Sequence, residues 1–313
     1  MSAAMGSSPS ISILIVAYQS KSFIRRCVES VIEHTRRSSY EILLVDNGTD
    51  GSGALVAAAF PQVRIIPSRG NIGFGAANNL LARHAAGELL LLLNPDTMLR
   101  DDAIDRLVDF ARRTPDGAAW AGRTMTPGGM LDGGNWMTIP TLAGLVRGAV
   151  GLGGGQPRRP EAGEAMQPYA AEVLCGGFML IRRDVFEQLG GFDESFFLYS
   201  EEIDLFTRFA ALGHRAWVTP DSVVVHDVGS GELISSSRLM FRTRGQMHYL
   251  RKHWPAAKAG LAGALIWGQA AQRVLRGRAL GWVVPSWRGL ASAYGPIVRQ
   301  PGRWWHGYAD GTG

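Results

Sequence analysis

The stretch Glu88-Leu89-Leu90-Leu91-Leu92-Leu93-Asn94-Pro95-Asp96 decides the fold. A continuous apolar run closed by a polar turn is a strand covered on both faces. The same grammar repeats outward from it. Ile11 to Ala17, Glu41 to Val45 and Val63 to Ile66 are further strand-like runs. Helical spacing occupies Phe23 to Glu33, Leu55 to Phe60, Gly75 to His84 and Ala103 to Arg112. Strict alternation of strand and helix predicts an α/β domain, a mostly parallel sheet flanked by helices, with ligands beyond the carboxyl ends of the strands.

Farther along, the texture changes. Met125 to Pro168 is rich in Gly and Pro and reads as a loop with one short helix near Leu142 to Val150. A loop that long in a compact domain points to function or disorder. Val173 to Ile181 returns to strand, Glu201 to Leu212 is a helix closed by Gly213, and Ala216 to Val218 and Ser222 to His226 are short strands. From Ser235 onward, helical segments broken by Pro255, Pro285 and Pro296 are expected. The expected organisation is a disordered N-terminus over 1–10, a nucleotide-binding domain over 11–234 and a helical extension over 235–313.

With 313 residues, 46% hydrophobic and 19% charged, the chain is neither a disordered tail, a collagen-like fibre nor a disulfide miniprotein. Cys27 and Cys175 have no paired spacing, so neither a disulfide framework nor a zinc knuckle is expected. The N-terminus lacks the basic region of a signal peptide, and Ala259 to Ala271 falls short of the roughly 18 residues of a membrane span. A cytoplasmic protein is expected. Its net charge of +5 conceals an asymmetry: residues 238–313 hold twelve Arg or Lys against one acid, Asp310, together with six of the nine tryptophans. Nucleic acid and an anionic membrane surface both suit such a patch. Interleaved indoles favour the membrane, which makes the expectation a peripheral protein on the inner face of the cell membrane, with no nucleic acid bound.

Strand ends carry the candidate chemistry. The first ends at Ala17-Tyr18-Gln19, the second at Asp46-Asn47-Gly48 and the fourth at Asn94-Pro95-Asp96. An aspartate after a strand is often a turn former or helix cap. Two of them beside an aromatic also suit a nucleotide, which needs an acceptor for a base N–H, a wall for the base and a carboxylate for the ion that neutralises a diphosphate. Gly73-Phe74-Gly75-Ala76-Ala77-Asn78 fails the dinucleotide fingerprint because Asn78 replaces the third glycine, yet it remains a plausible pocket wall beside a helix start. In the acidic cluster Asp193, Glu194, Glu201, Glu202 and Asp204, Asp204 is spaced to pair with Arg208, whereas Phe206 stands four residues after Glu202. Glu202 is therefore the expected general base, with Glu201 and Asp204 as alternates. His226, closing the Val223-Val224-Val225 run, is either a satisfied strand-end residue or a second metal ligand beside Asp96.

Together these residues resemble the inverting family 2 glycosyltransferases of the GT-A fold, which include bacterial rhamnosyl- and galactofuranosyltransferases. The matching stretches are Ile13 to Tyr18, Val45 to Ser52, Gly70 to Asn78, Leu92 to Asp96, and Gly190 to Glu194 continuing through Phe197 to Leu205. The resemblance implies that Asp46 contacts the base, Tyr18 lines its pocket, and Asn94-Pro95-Asp96 stands where the family has its D-x-D motif. It places Glu202 on the second acid of the family's acidic pair and His226 on the histidine that completes the metal site. Ala17, Asn71, Gly73, Phe74, Asn78 and Asn94 join the expected nucleotide-sugar contacts. Asn94 and Glu202 are departures, each standing where the family commonly has Asp.

The expected reaction is a single displacement with inversion, using Mg²⁺ or Mn²⁺ at Asp96 and His226. The donor is dTDP-rhamnose or a UDP-sugar, and the acceptor lipid-linked or a glycan. A homo-oligomer is left open. The competing readings are a nucleotidyltransferase, which should carry an early glycine-rich basic signature, and a non-catalytic membrane-docked scaffold.

Overall fold

The computed structural model describes residues 9–131, 135–152, 167–227 and 235–308. Most of the expected disordered N-terminus, and residues 132–134 and 153–166 of the expected loop, lie outside the described residues. The chain opens with β1 (Ile11–Ala17), α1 (Ile24–His34), β2 (Tyr40–Asp46), α2 (Ser52–Ala59), β3 (Val63–Ile66), α3 (Phe74–Ala82) and β4 (Leu89–Leu93). There follow β5 (Thr97–Leu99), α4 (Ala103–Arg113), β6 (Gly117–Met125), β7 (Trp136–Met137), α5 (Leu142–Ala149), β8 (Tyr169–Ala171), β9 (Val173–Leu174), β10 (Phe178–Arg182) and α6 (Arg183–Gln188). The last elements are α7 (Glu201–Ala211), β11 (Arg215–His226), α8 (Ser236–His253), α9 (Ala256–Leu280) and α10 (Leu290–Arg299).

Contacts divide the chain into two compact units that do not follow a single cut. The first comprises Met1–Met137, Arg159–Phe192 and Leu205–Val228; the second comprises Thr138–Arg158, Asp193–Asp204 and Gly229–Gly313. A nine-stranded sheet forms the first, in the order β3-β2-β1-β4-β10-β6-β11-β5 with β8 also on β11. β1 runs parallel to β2 and β4, β2 to β3, and β6 to β11. β10 lies antiparallel between β4 and β6. The sheet is thus mixed and mostly parallel, and Leu90 to Leu93 are buried in it as the leucine run requires.

Three differences from expectation have physical causes. β6 was not legible because Gly117-Ala118-Ala119-Trp120-Ala121-Gly122 lacks β-branched residues. Its small residues are required by crowding: a Cβ on Gly122 would lie 2.4 Å from the Ser222 carbonyl oxygen. The two short strands expected at 216–226 are one strand, β11, whose pairing to β6 shifts register between Val218 and Val223, around Pro220. Pro296 does not break its helix but sits inside α10, while Pro255 caps α9 and Pro285 opens a 3-10 turn.

In the second unit, the core joins Leu145 of α5, Phe196, Met247 and Leu250 of α8, Ile266 of α9, Ile297 of α10 and Trp304. Among the described residues no helix is long and apolar enough to cross a membrane.

Candidate active site

Register brings the strand ends of the first unit level. Ala17 is paired with Asp46, and Leu93 with Ile15, so Asn94-Pro95-Asp96 starts beside the last residues of β1. Tyr18 leaves the sheet with its side chain 57% exposed. Gln19 follows in the left-handed region at φ 50°, and its Oε1 accepts from the Thr49 amide at 3.2 Å. Asp50 accepts from the Lys21 amide at 2.8 Å and the Ser52 hydroxyl at 2.6 Å. Burial works against ionisation of Asp50, but these hydrogen bonds hold it below the usual carboxylate range. The loops after β1 and β2 are therefore stitched together without any ligand.

Asp46 serves that stitching too. Its Oδ1 accepts from the Gly48 amide at 2.9 Å and its Oδ2 from the Gly53 amide, in the first turn of α2, at 2.7 Å. Next to it, buried Asn47 donates to the Gly73 carbonyl at 3.1 Å, and Gly73 donates to Asn71 Oδ1 at 3.1 Å. Asn78 is buried, with its amide donating to the Phe74 carbonyl of its own helix, and the Phe74 ring meets Phe192 edge-on. Asn79, which the sequence reading passed over, clamps Phe192 from both sides: Nδ2 donates to the Phe192 carbonyl and Oδ1 accepts the Phe192 amide, both at 2.9 Å. Nothing local in sequence foretells a bond between positions 113 residues apart.

The turn Asn94-Pro95-Asp96 closes with the Thr97 amide donating to the Asn94 carbonyl at 3.1 Å and leads straight into β5. β5 pairs antiparallel with the end of β11, Thr97 opposite His226. That pairing sets His226 Nε2 3.1 Å from Asp96 Oδ1. The distance suits an ion pair, yet Oδ1 is buried and receives no hydrogen bond of good geometry from the described residues. The Asn94 amide and the His226 ring both approach Gly177, where a Cβ would lie 3.1 Å from Asn94 Nδ2 and 3.7 Å from His226 Cε1.

An oxygen and a nitrogen about 3 Å apart, one of them orphaned, fit two neighbouring ligands of a hard divalent cation. Among the described residues, no group of three or more His, Cys, Asp or Glu is placed to hold a metal. Asp96 and His226 would thus supply two positions, leaving the others to diphosphate oxygens and water.

The three acids expected to act as base belong to the second unit in its stretch Asp193–Asp204. Asp204 is fully buried and neutralised by Lys252 Nζ at 2.6 Å and His253 Nε2 at 2.7 Å, both from α8. Arg208, expected as its partner, directs its guanidinium to the Leu189 and Gly191 carbonyls at 2.7 and 2.9 Å. Lys252 also reaches Asp193 at 2.6 Å. Burial opposes ionisation of Asp193, but the hydrogen bonds from Lys252 and Ser195 hold it at about 2.

Glu201 and Glu202 sit directly after a strained turn, with Tyr199 at φ 68° and Ser200 at φ 72°. The turn is held by the second unit. The Tyr308 hydroxyl donates to the Leu198 carbonyl, and Gly245 of α8 packs so closely that a Cβ there would stand 2.1 Å from the Tyr199 carbonyl oxygen. Helical rotation then separates the two glutamates: Glu201 is buried, with Oε2 unpartnered among the described residues, while Glu202 is half-exposed. Burial first, and the Glu202 charge second, push the Glu201 carboxyl well above the ordinary range.

Comparison with known proteins agrees with this architecture. The model of the glycosyl transferase family 2 matches residues 12–190. An N-acetylglucosaminyl-diphospho-decaprenol L-rhamnosyltransferase of Mycobacterium tuberculosis is 31% identical over 68% of this chain and 75% of its own length. A rhamnosyltransferase of Escherichia coli K12 is 23% identical over 68% of this chain and 82% of its own length. Among solved structures, the Pyrobaculum calidifontis mannosyltransferase in complex with GDP-Man and Mn²⁺ aligns with TM-score 0.57 and 19% identity over 96% of this chain and 84% of that one. GalNAc-T7 with UDP, GalNAc and Mn²⁺ aligns with TM-score 0.61 and 17% identity over 84% of this chain and 51% of that one. The fold is of the GT-A type, and the chain is a glycosyltransferase belonging to glycosyl transferase family 2.

Proposed function

We propose that the chain transfers a sugar, with rhamnose the leading candidate, from a nucleoside diphosphate to a hydroxyl of a lipid-linked or glycan acceptor, with inversion. The Asp96–His226 pair carries this reading: a buried orphaned carboxylate oxygen 3.1 Å from an imidazole nitrogen, at the strand end where such folds bind nucleotides. Asp46 accepts a base N–H through the lone pairs its loop leaves open, and the exposed Tyr18 ring walls the base. Asp96 and His226 hold Mg²⁺ or Mn²⁺, which would offset the charge gathering on the departing diphosphate. Glu202 takes the proton from the acceptor hydroxyl as that oxygen attacks the anomeric carbon. No carboxylate is needed as nucleophile, so one displacement inverts the centre.

The rhamnosyltransferase relatives support the choice of sugar, and the decaprenol named for the mycobacterial relative supports a lipid-linked acceptor. The basic, Trp-rich residues 238–313 support a reading in which the chain works at an anionic membrane surface, on its cytoplasmic side. A panel of nucleotide-sugars assayed with Mg²⁺ or Mn²⁺ tests the reading. Glu202→Gln should abolish turnover, by roughly 10³-fold or more, while leaving donor affinity within a few-fold. A Glu202→Gln enzyme that turns over like the parent would reassign the base.

A further inference from the structure

Nine of the twelve large apolar side chains that stand exposed among the described residues belong to the second unit. Six of them are Val150, Leu152, Leu275, Leu280, Trp282 and Val283, with Trp282 78% and Leu152 70% exposed. Packing draws the segments that carry them to one end. The Gln269 amide of α9 donates to the Leu145 carbonyl of α5 at 2.9 Å. Two turns of α9 farther on, Gly151 lies against the Arg276 guanidinium, which a Cβ there would meet at 2.6 Å. Leu280 follows Arg276 by four residues on the same helix face, and α9 then closes in a tight turn, the Val283 and Val284 amides both donating to the Leu280 carbonyl. Val150 and Leu152, flanking Gly151, are thereby brought toward the α9 terminus.

Cations are interleaved with this apolar surface: Arg147, Arg276, Arg278 and Arg288. No acid occurs from Arg238 through Tyr308 to offset them. An exposed apolar cluster of this kind marks an interaction surface. The charge selects the occupant. A second copy docked symmetrically would set arginine against arginine with no carboxylate within residues 238–308 to offset them, whereas an anionic lipid leaflet accepts the apolar side chains below its headgroups and the guanidinium groups at them. An indole as exposed as that of Trp282 is most stable at that boundary.

We propose that the joined ends of α5 and α9 are the membrane-docking face. Leu275, Leu280, Trp282 and Val283 insert, and Arg276, Arg278 and Arg288 contact anionic headgroups. No helix among the described residues is long and apolar enough to span, so the attachment is interfacial. This inference rests on the membrane partner proposed above, but not on the reaction catalysed.

The test is co-sedimentation of the full chain with phosphatidylcholine vesicles with and without phosphatidylglycerol. Leu275→Ser combined with Trp282→Ser should lower the partition coefficient about 100-fold on anionic vesicles. Replacing Arg276, Arg278 and Arg288 with Gln should lower it about fivefold per arginine on anionic vesicles and leave neutral ones unaffected. Leu275, Arg278, Trp282 and Arg288 are exposed and Arg276 is half-buried, so unchanged thermal unfolding serves as the folding control. If the parent chain binds and the Leu275/Trp282 variant binds equally, the docking face lies elsewhere while the membrane reading stands. If the parent fails to bind anionic vesicles at low salt, both fall. A parent dimer in sedimentation velocity that the same variant renders monomeric would identify a second copy as occupant and overturn the proposal.

Discussion

Replacing Glu201 with Gln removes one titrating proton from a buried carboxyl of the acidic cluster and keeps its shape. The side chain is buried, its Oε2 has no hydrogen-bond partner among the described residues, and its ionisation is disfavoured by burial and then by the Glu202 charge. Because the folded-state value is raised, the stability this group contributes is fully present below the ordinary Glu range. It is lost as pH climbs from there toward the folded value. One proton corresponds to about 1.4 kcal/mol per pH unit across that window. The stability of Glu201→Gln relative to the parent should therefore rise as pH climbs above the ordinary Glu range, by up to about 1.4 kcal/mol per pH unit. In melting temperature that is roughly 3–6 °C per pH unit. Paired thermal melts across the range measure it directly. A difference that stays constant with pH would mean that Glu201 titrates as an ordinary carboxylate, refuting the account of the turn and its burial. Glu202→Gln supplies an internal control: with the second cause gone, the window in Glu201 should narrow.

Asp96→Ala and His226→Ala should each weaken Mn²⁺ binding, followed by water-proton relaxation with nucleoside diphosphate present, by roughly tenfold or more. Unchanged affinity in both would remove the metal assignment. Lys252→Met leaves Asp204 fully buried with His253 as its remaining α8 partner, and should destabilise the fold by about 3 kcal/mol. Adding Asp204→Asn should restore part of that loss, whereas strictly additive denaturation energies would show that the pair does not interact. Gly245→Ala must displace the Tyr199 carbonyl, since its Cβ would meet that oxygen at 2.1 Å, so turnover should fall more than donor affinity. Parent-like turnover and melting temperature would show that the turn ahead of the glutamates tolerates movement.

What could be read from sequence, and what could not, follows the range of the interactions involved. β1 to β4 and their intervening helices were legible because each apolar run states its own burial. β6 was not, since its Ala and Gly residues are strand-forming only where Ser222 crowds them from β11. The turn Asn94-Pro95-Asp96 could be recognised as a strand end, but its proximity to His226 depends on β5, three residues whose strand character comes from pairing with β11. Likewise, helical spacing located Arg208 near Asp204, whereas Lys252 and His253 come from a helix about 50 residues later. Local periodicity carries no information about such partners.

The packing of the second unit also bears on how one acid in the cluster comes to differ from its neighbours. A general base has to be ionised and accessible to its acceptor. Asp204 is enclosed between Lys252 and His253, out of reach of an acceptor, and Glu201 is enclosed where its proton is favoured. Glu202, one residue after Glu201, is turned about 100° around α7 and remains half-exposed. That rotation is effective only if the helix starts at a fixed point. The left-handed pair Tyr199 and Ser200 fixes it, at a strain on the order of 1–3 kcal/mol per residue. Gly245 and Tyr308 hold the pair in place, and the Ser200 carbonyl accepts the Asp204 amide at 3.0 Å. A one-residue slip in the start of α7 would carry Glu202 into the enclosed position that Glu201 now holds. The conformational strain before the helix is therefore best understood as what makes the two adjacent, chemically identical side chains inequivalent.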